Sequence, residues 1–279
     1  MTEVVEQHPF AKYLREAMMP HIWCTGCGNG IILNAFVHAL DELQIDLDKL
    51  VVVSGIGCIG RTAGYTNVDS FHTTHGRPIA FATGVKLANP ELEVVVISGD
   101  GDLFAIGGNH FIHAARRNIG IKVICANNFN YGMTGGQFGP TTPLKASTPT
   151  TPYGNIEHPF NLVHLAAASG ATYVARWTTL HVRMLTASIK KLLQRKGFSF
   201  IEVVSQCPEI FGRRNKMRTA LEMMEWFKKA AVIANFSDPA KAEITPEKIV
   251  VGEFLDLEKP TFEELLREKM NEISKENGE

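Results

Sequence analysis

The sequence predicts an α/β protein built on a doubly wound, mostly parallel sheet, with a C-terminal helical arm. Three observations predict this class. Apolar, β-branched segments of strand length recur at 50–57, 92–99, 121–127, 171–176 and 198–205. Segments of helical period alternate with them, at 30–43, 79–89, 107–118, 161–169 and 179–196. Strands apolar on both faces belong in a parallel sheet covered by helices on each side. Four of the five expected strands also end in residues of unusual chemistry: Cys58, then GDGD at 99–102, then Asn127 and Asn128, then SQCPE at 205–209. Ligands of open α/β sheets bind at the carboxyl edge of the strands, so these residues are expected on one rim.

Between the third and fourth expected strands, residues 129–160 are rich in Gly, Pro and Thr and have no period. A loop this long in a compact domain usually covers or carries a site. Beyond 210, Thr219 and Glu222 form a possible capping box at the start of TALEMMEWFKKAA, and Thr261 with Glu264 opens a last helix in the same way. The Pro-punctuated tail offers little to a sheet core. Residues 1–215 are therefore read as one domain and 216–279 as a helical arm that packs on another subunit.

A chain of 279 residues, 45% hydrophobic and 20% charged, can bury a substantial core. Its formal net charge of -1 gives no electrostatic footprint for nucleic acid or anionic membrane, and the short cluster RRNKMR at 213–218 is the one exception. No run of 18 apolar residues occurs, and the N-terminal MTEVVEQHPFAKYLRE is mixed in charge without an apolar targeting core. The expected location is the cytoplasm, where five cysteines stay unpaired. Cys24 and Cys27 form C-x-x-C, while Cys58, Cys125 and Cys207 are scattered. Cys125 lies mid-strand in KVICANN and reads as a small buried hydrophobe.

GIGCIG at 55–60 spells a dinucleotide fingerprint, which needs a packing helix straight after it and an acidic residue about 20 positions on, at a strand end. The continuation RTAGYTNVDSFHTTHGR is polar and turn-rich, with Asp69 expected in no strand. Nicotinamide or flavin binding is not expected. GDGD with NN carries more. Asp100 and Asn128 close neighbouring strands and offer a carboxylate and an amide oxygen to a hard cation such as Mg²⁺. Gly99 and Gly101 let backbone approach a diphosphate, and the following helix N-terminus favours its charge.

The pattern GDG, then about 25 residues, then NN resembles the thiamine diphosphate motif. More specifically, WCTGCGN (23–29), GIGC (55–58), GDGDLFAIGGNHFIHAARRN (99–118), NNFNYGMTGGQFGPTTP (127–143) and Cys207 resemble the β subunit of 2-oxoacid:ferredoxin oxidoreductases. The resemblance spans about residues 20–215. It implies the diphosphate-binding half of a thiamine diphosphate-binding fold with one [4Fe-4S] cluster. It implies that Asp100, the side chain of Asn128 and the backbone carbonyl of Asn130 hold Mg²⁺, and that Gly99, Gly101, Asp102, Gly132, Met133 and Thr134 cradle the diphosphate. Ile56 and Gly57 would bring backbone to the cofactor. Cys24, Cys27, Cys58 and Cys207 would ligate the cluster, which explains a cysteine inside a glycine loop. His72 and His75 would lie near the cofactor, and Arg61 would meet the substrate carboxylate.

The implied activity is CoA-dependent oxidative decarboxylation of a 2-oxoacid, with electrons leaving through the cluster to ferredoxin. SQCPEIFGRRN looks more like the subunits of 2-oxoglutarate enzymes, and Arg213 with Arg214 would suit a dicarboxylate. No activating glutamate can be assigned, so an α subunit is expected to complete the active site. Two other readings stand beside this one. A non-redox thiamine decarboxylase subunit would leave the cysteines without purpose, and a zinc-stabilised interaction module would leave Asp100 and Asn128 unexplained.

Overall fold

In the computed structural model, which describes residues 8–276, helices and strands alternate as the periodicity predicts. Residues 1–7, the start of the stretch expected to hold no apolar targeting core, lie outside the described residues. The order is α1 (Asn29–Leu43), β1 (Leu50–Ser54), α2 (Thr62–Tyr65), β2 (Asp69–His72), α3 (Pro78–Ala88), β3 (Glu93–Gly99), α4 (Gly108–Arg116) and β4 (Ile121–Asn127). The long loop holds a short hairpin, β5 (Asn130–Tyr131) and β6 (Gln137–Phe138), and then come α5 (Leu162–Ser169), β7 (Tyr173–Thr178), α6 (Val182–Gln194) and β8 (Ser199–Val204). The chain closes with α7 (Ala220–Ala230), β9 (Ala231–Ile233), β10 (Ile249–Asp256) and α8 (Phe262–Glu276).

The main sheet runs β2-β1-β3-β4-β8-β7-β10-β9, parallel from β2 to β7. Side chains alternate across it. Val52, Val95, Ile97, Ile124 and Ile201 pack under α1, α6 and α7, whereas Val51, Val94, Val96, Val123 and Phe200 pack under α3, α4 and α5. Each such fully buried side chain contributes about 1.5–3 kcal/mol. Cys125 is fully buried in the second of these layers, as expected.

Two expectations are corrected. Asp69 does lie in a strand: it pairs with Val51 at the start of β2. That strand carries no apolar signature because it forms the sheet edge, with three of its four residues exposed. Residues 216–279 are not a helical arm apart from the core. β10 pairs antiparallel with β7, β9 lies beside it, and Ile249, Val250, Val251 and Phe254 are buried. The Pro-punctuated surroundings masked the apolar run IVVGEFLD. Both capping boxes form: Thr219 with Glu222, and Thr261 with Glu264.

Arg176 on β7 and Glu202 on β8 are neighbours in register, fully buried, and joined by Nε donating to Oε2 at 2.7 Å. Arg176 also donates to the carbonyls of Ala242 and Val250. Arg176→Met leaves a buried carboxylate without its cation and is expected to cost roughly 3 kcal/mol, read as a lowered urea midpoint. Among the described residues no helix is long and apolar enough to cross a membrane.

After β1 the chain turns toward β2, and after β3 it turns the other way toward β4. The crevice between the carboxyl ends of β1 and β3 is therefore a topological switch point. Gly55–Cys58 leave from one side of it and Asp100 from the other.

Candidate active site

At the switch point lies a cavity of about 170 Å³. Its walls include Ile56, Gly57, His75, Gly99–Asp102, Asn128, Asn130 and Gly132–Thr134, which is every residue expected to bind the cofactor or Mg²⁺. Tyr131 also lines it and was not anticipated. Its ring covers Gly101, where an added Cβ would fall 2.2 Å from Cε1. That close approach is why only glycine fits there.

Asp100 is 2% exposed, and burial pushes its carboxyl up to about 7 against the opposing hydroxyl of Thr141 and nearby backbone amides. Thr141 Oγ1 contacts both Asp100 Oδ2 and Asn127 Oδ1. One hydroxyl proton faces two acceptors, and both are satisfied when Asp100 is protonated and donates to Thr141. Asn127 in turn donates to Glu202 Oε1 at 2.7 Å. A buried polar chain thus runs from Arg176 to Asp100. Asn127 and Thr141 were missed because nothing in spacing distinguishes Asn127 from its neighbour. The charged Arg176 and Glu202 inside apolar strands were the legible sign.

The diphosphate role expected for Asp102 needs refinement. Its carboxylate accepts from Ser98 Oγ (2.8 Å) and from the amides of Gly76 (2.7 Å) and Ile56 (3.2 Å), and meets His75 Nδ1 at 2.5 Å. It clamps the glycine loop and the His75 loop to the GDGD turn. Gly55 is obligatory under it, since an added Cβ would sit 2.0 Å from Asp102 Oδ2. Asp102→Asn presents an amide to donors that need an acceptor and is expected to cost about 2–3 kcal/mol, measured by chemical unfolding of the chain. His72 meets Ser54 Oγ instead, at 3.0 Å.

A second cavity of about 80 Å³ abuts the first. Cys24, Cys27, Cys58 and Cys207 all line it, and it shares Cys58, Asn128, Gly132 and Met133 with the larger one. Close packing brings these distant segments together. Trp23 Nε1 donates to the carbonyl of Cys58 at 2.6 Å, and Gly28 N donates to the carbonyl of Gln206 at 3.0 Å. A Cβ on Gly28 would meet Ser205 Oγ at 2.3 Å. Burial pushes the Cys27 thiol up to about 12, with Cys207, Cys58 and Cys24 adding repulsion, and the Cys58 thiol up to about 11. Among the described residues no three His, Cys, Asp or Glu side chains gather at metal-ligand spacing. The four sulfurs face one cavity without closing on a point.

Arg61 is exposed and lines the cysteine cavity rather than the larger one. Arg213 and Arg214 are exposed beyond both.

Comparison with known proteins decides the family. Residues 55–203 match the family described as thiamine pyrophosphate enzyme, C-terminal TPP binding domain. The 2-oxoglutarate synthase subunit KorB of Methanocaldococcus jannaschii is 55% identical over 96% of this chain and 100% of its own length. Its counterpart in Methanothermobacter marburgensis is 54% identical over 92% and 90%. The chain belongs to the β subunits of the 2-oxoacid:ferredoxin oxidoreductases. A solved 2-oxoglutarate:ferredoxin oxidoreductase from Magnetococcus marinus, with 2-oxoglutarate, coenzyme A and succinyl-CoA bound, superposes with a TM-score of 0.86 at 33% identity, over 98% of this β subunit and 93% of that chain. The family and fold expected from the cysteine and GDGD motifs are thereby borne out.

Proposed function

We propose that this β subunit carries thiamine diphosphate, Mg²⁺ and one [4Fe-4S] cluster, and that with its α subunit it converts 2-oxoglutarate and coenzyme A to succinyl-CoA and CO₂, passing electrons to ferredoxin. The observation that carries the reading is the wall common to the two cavities: Cys58, Asn128, Gly132 and Met133. A site for a charged, metal-held cofactor and a site lined by four thiols share side chains, which keeps the electron donor and its exit adjacent.

The residues fit both groups. Asp100, Asn128 and Asn130 would hold Mg²⁺. Asn130 Oδ1, a side-chain oxygen distinct from the backbone carbonyl that the resemblance implies, is buried without a hydrogen-bond partner and is open to a cation, and the raised Asp100 carboxyl is a group that a cation would ionise. The Cys27 and Cys58 thiols, held protonated by burial, would give up their protons to a metal bound among the four sulfurs. Asn29 and Ser205, each two residues from a cysteine, have buried polar atoms without partners, available to thiolate or sulfide sulfur. Thiamine diphosphate, when bound, supplies the electron sink that lets a carboxyl carbon leave as CO₂. The chain's own part is orientation. Asp102 meets the His75 ring at Nδ1 and so orients it in the cavity wall.

Ile56 and Met133 are exposed large apolar residues in the cavity walls, a surface for the α subunit to cover and so exclude water. Leu265, Leu266, Met270 and Ile273 make α8 a second surface for a partner subunit. A cytoplasmic, reducing location suits five free cysteines.

Iron, sulfide and thiamine counted per β subunit in the anaerobically purified complex test this reading, with turnover compared on 2-oxoglutarate and pyruvate. The expected result is a brown, iron-loaded enzyme that prefers 2-oxoglutarate and whose isolated β chain is inactive. Zinc without thiamine, or thiamine in a colourless iron-free protein, overturns the redox reading; a strong pyruvate preference overturns the substrate.

A further inference from the structure

We propose that the basic ridge at 213–218 is the docking surface for a small acidic electron carrier of the ferredoxin type. The proposal rests on the reading above that the cysteine cavity holds a redox cluster. It adds the face through which the electrons leave.

The ridge has four exposed cations, Arg213, Arg214, Lys216 and Arg218. Among the described residues only Arg213 has an ion pair, with Glu209 at 2.6 Å. A charge run is usually a loosely solvated stretch, but this one is held in place. Asn215 accepts from Ser147 N at 2.9 Å and donates to the carbonyls of Ser147 and Phe211, and Met217 N donates to the carbonyl of Gly212 at 2.8 Å. Asn215 and Met217 face inward in alternation, so Arg214, Lys216 and Arg218 form an outward row.

Both ends of the row rest on cysteine-bearing segments. It starts six residues after Cys207, beyond a turn in which Gly212 N donates to the Cys207 carbonyl at 2.9 Å. Two residues past its end, Ala220 Cβ lies 2.5 Å from where a Cβ on Gly26, between Cys24 and Cys27, would stand. Of the four cysteines only Cys58 lines the cofactor cavity as well, while Cys24 is exposed. Electrons therefore enter on the Cys58 side, and the ridge flanks the Cys207 and Cys24–Cys27 segments, where Cys24 is exposed.

Charge complementarity selects the occupant. The chain as a whole carries a net charge of -1 and attracts no acidic protein at long range, so a local row of cations decides where one lands. Transient redox encounters use small, steered interfaces of this kind. One electron crosses per encounter, the carrier's oxidised iron–sulfur group is reduced by it, and no bond forms and no proton moves.

The test uses the assembled enzyme carrying Lys216→Glu and Arg218→Glu together, with a purified acidic ferredoxin and, separately, methyl viologen as acceptor. The KM for ferredoxin is expected to rise about tenfold at low salt. Turnover with methyl viologen should stay unchanged, and the charge-conserving Lys216→Arg with Arg218→Lys should restore the KM. Added salt should weaken the wild type and barely affect the charge-reversed enzyme. A ferredoxin KM within about twofold of wild type overturns the proposal, as does loss of the α subunit from the variant, which would make the ridge an inter-subunit face. A wild-type complex that reduces neither acceptor instead overturns the oxidoreductase reading itself.

Discussion

Cys58→Ser is expected to leave the assembled enzyme with little bound iron and with ferredoxin-linked turnover below about 1% of wild type. Cys58 is the sulfur common to both cavities, so its loss opens the cysteine set and removes the contact that adjoins the cofactor walls. Thiamine content separates the two consequences. Because the Asp100 side of the cavity is untouched, thiamine diphosphate should remain bound while iron and the visible absorption band disappear. Cys125→Ala is the matched control, since that side chain is buried in the core away from both cavities. It should keep its iron and cost about 1 kcal/mol of stability. Equal iron loss in both variants would refute the assignment of Cys58.

Asp100→Asn is expected to weaken Mg²⁺-dependent retention of thiamine diphosphate on the order of 100-fold, because the proposed Mg²⁺ site would lose its one carboxylate. Equilibrium dialysis of the cofactor with and without Mg²⁺ measures it. The same change has a second signature in the cofactor-free chain. Burial raises the Asp100 carboxyl to about 7, above its ordinary value near 4, so the folded state holds a proton that the unfolded state has released. Its contribution to stability is full below about pH 4, falls as pH rises toward 7, and amounts to a few kcal/mol. Asp100→Asn should flatten that slope, and Mg²⁺ with thiamine diphosphate should reverse it in the wild type. Unfolding midpoints across this pH range that match in wild type and variant would sink the account.

Much of this was legible in residue order. Five interior strands were found because both their faces are buried, which leaves a continuous apolar run. The site was legible because parallel strands deliver whatever follows them to one edge, so Cys58, Asp100, Asn128 and Cys207 had to approach one another. What escaped has equally physical causes. β2 has solvent on its exposed positions and needs no hydrophobic period. The acceptor that Asp102 provides to Ile56 and Gly76 depends on loops 26 and more residues away and leaves no local pattern. The resemblance set Arg61 at the substrate carboxylate, but which cavity its side chain borders follows from the packing of the helical turn at Ile59–Arg61.

The place of β10 bears on how the protein can be handled and on how its gene can vary. A fragment ending near residue 215, where composition changes, would present the whole side of β7 as bare donors and acceptors ready to join other copies. It would also strip Arg176 of its Ala242 and Val250 acceptors and Gly120 of the Glu263 carboxylate that receives its amide. Truncations are tolerated elsewhere, but not here: the minimal soluble unit extends at least through the first turn of α8, and natural shortening of the gene should stop beyond it.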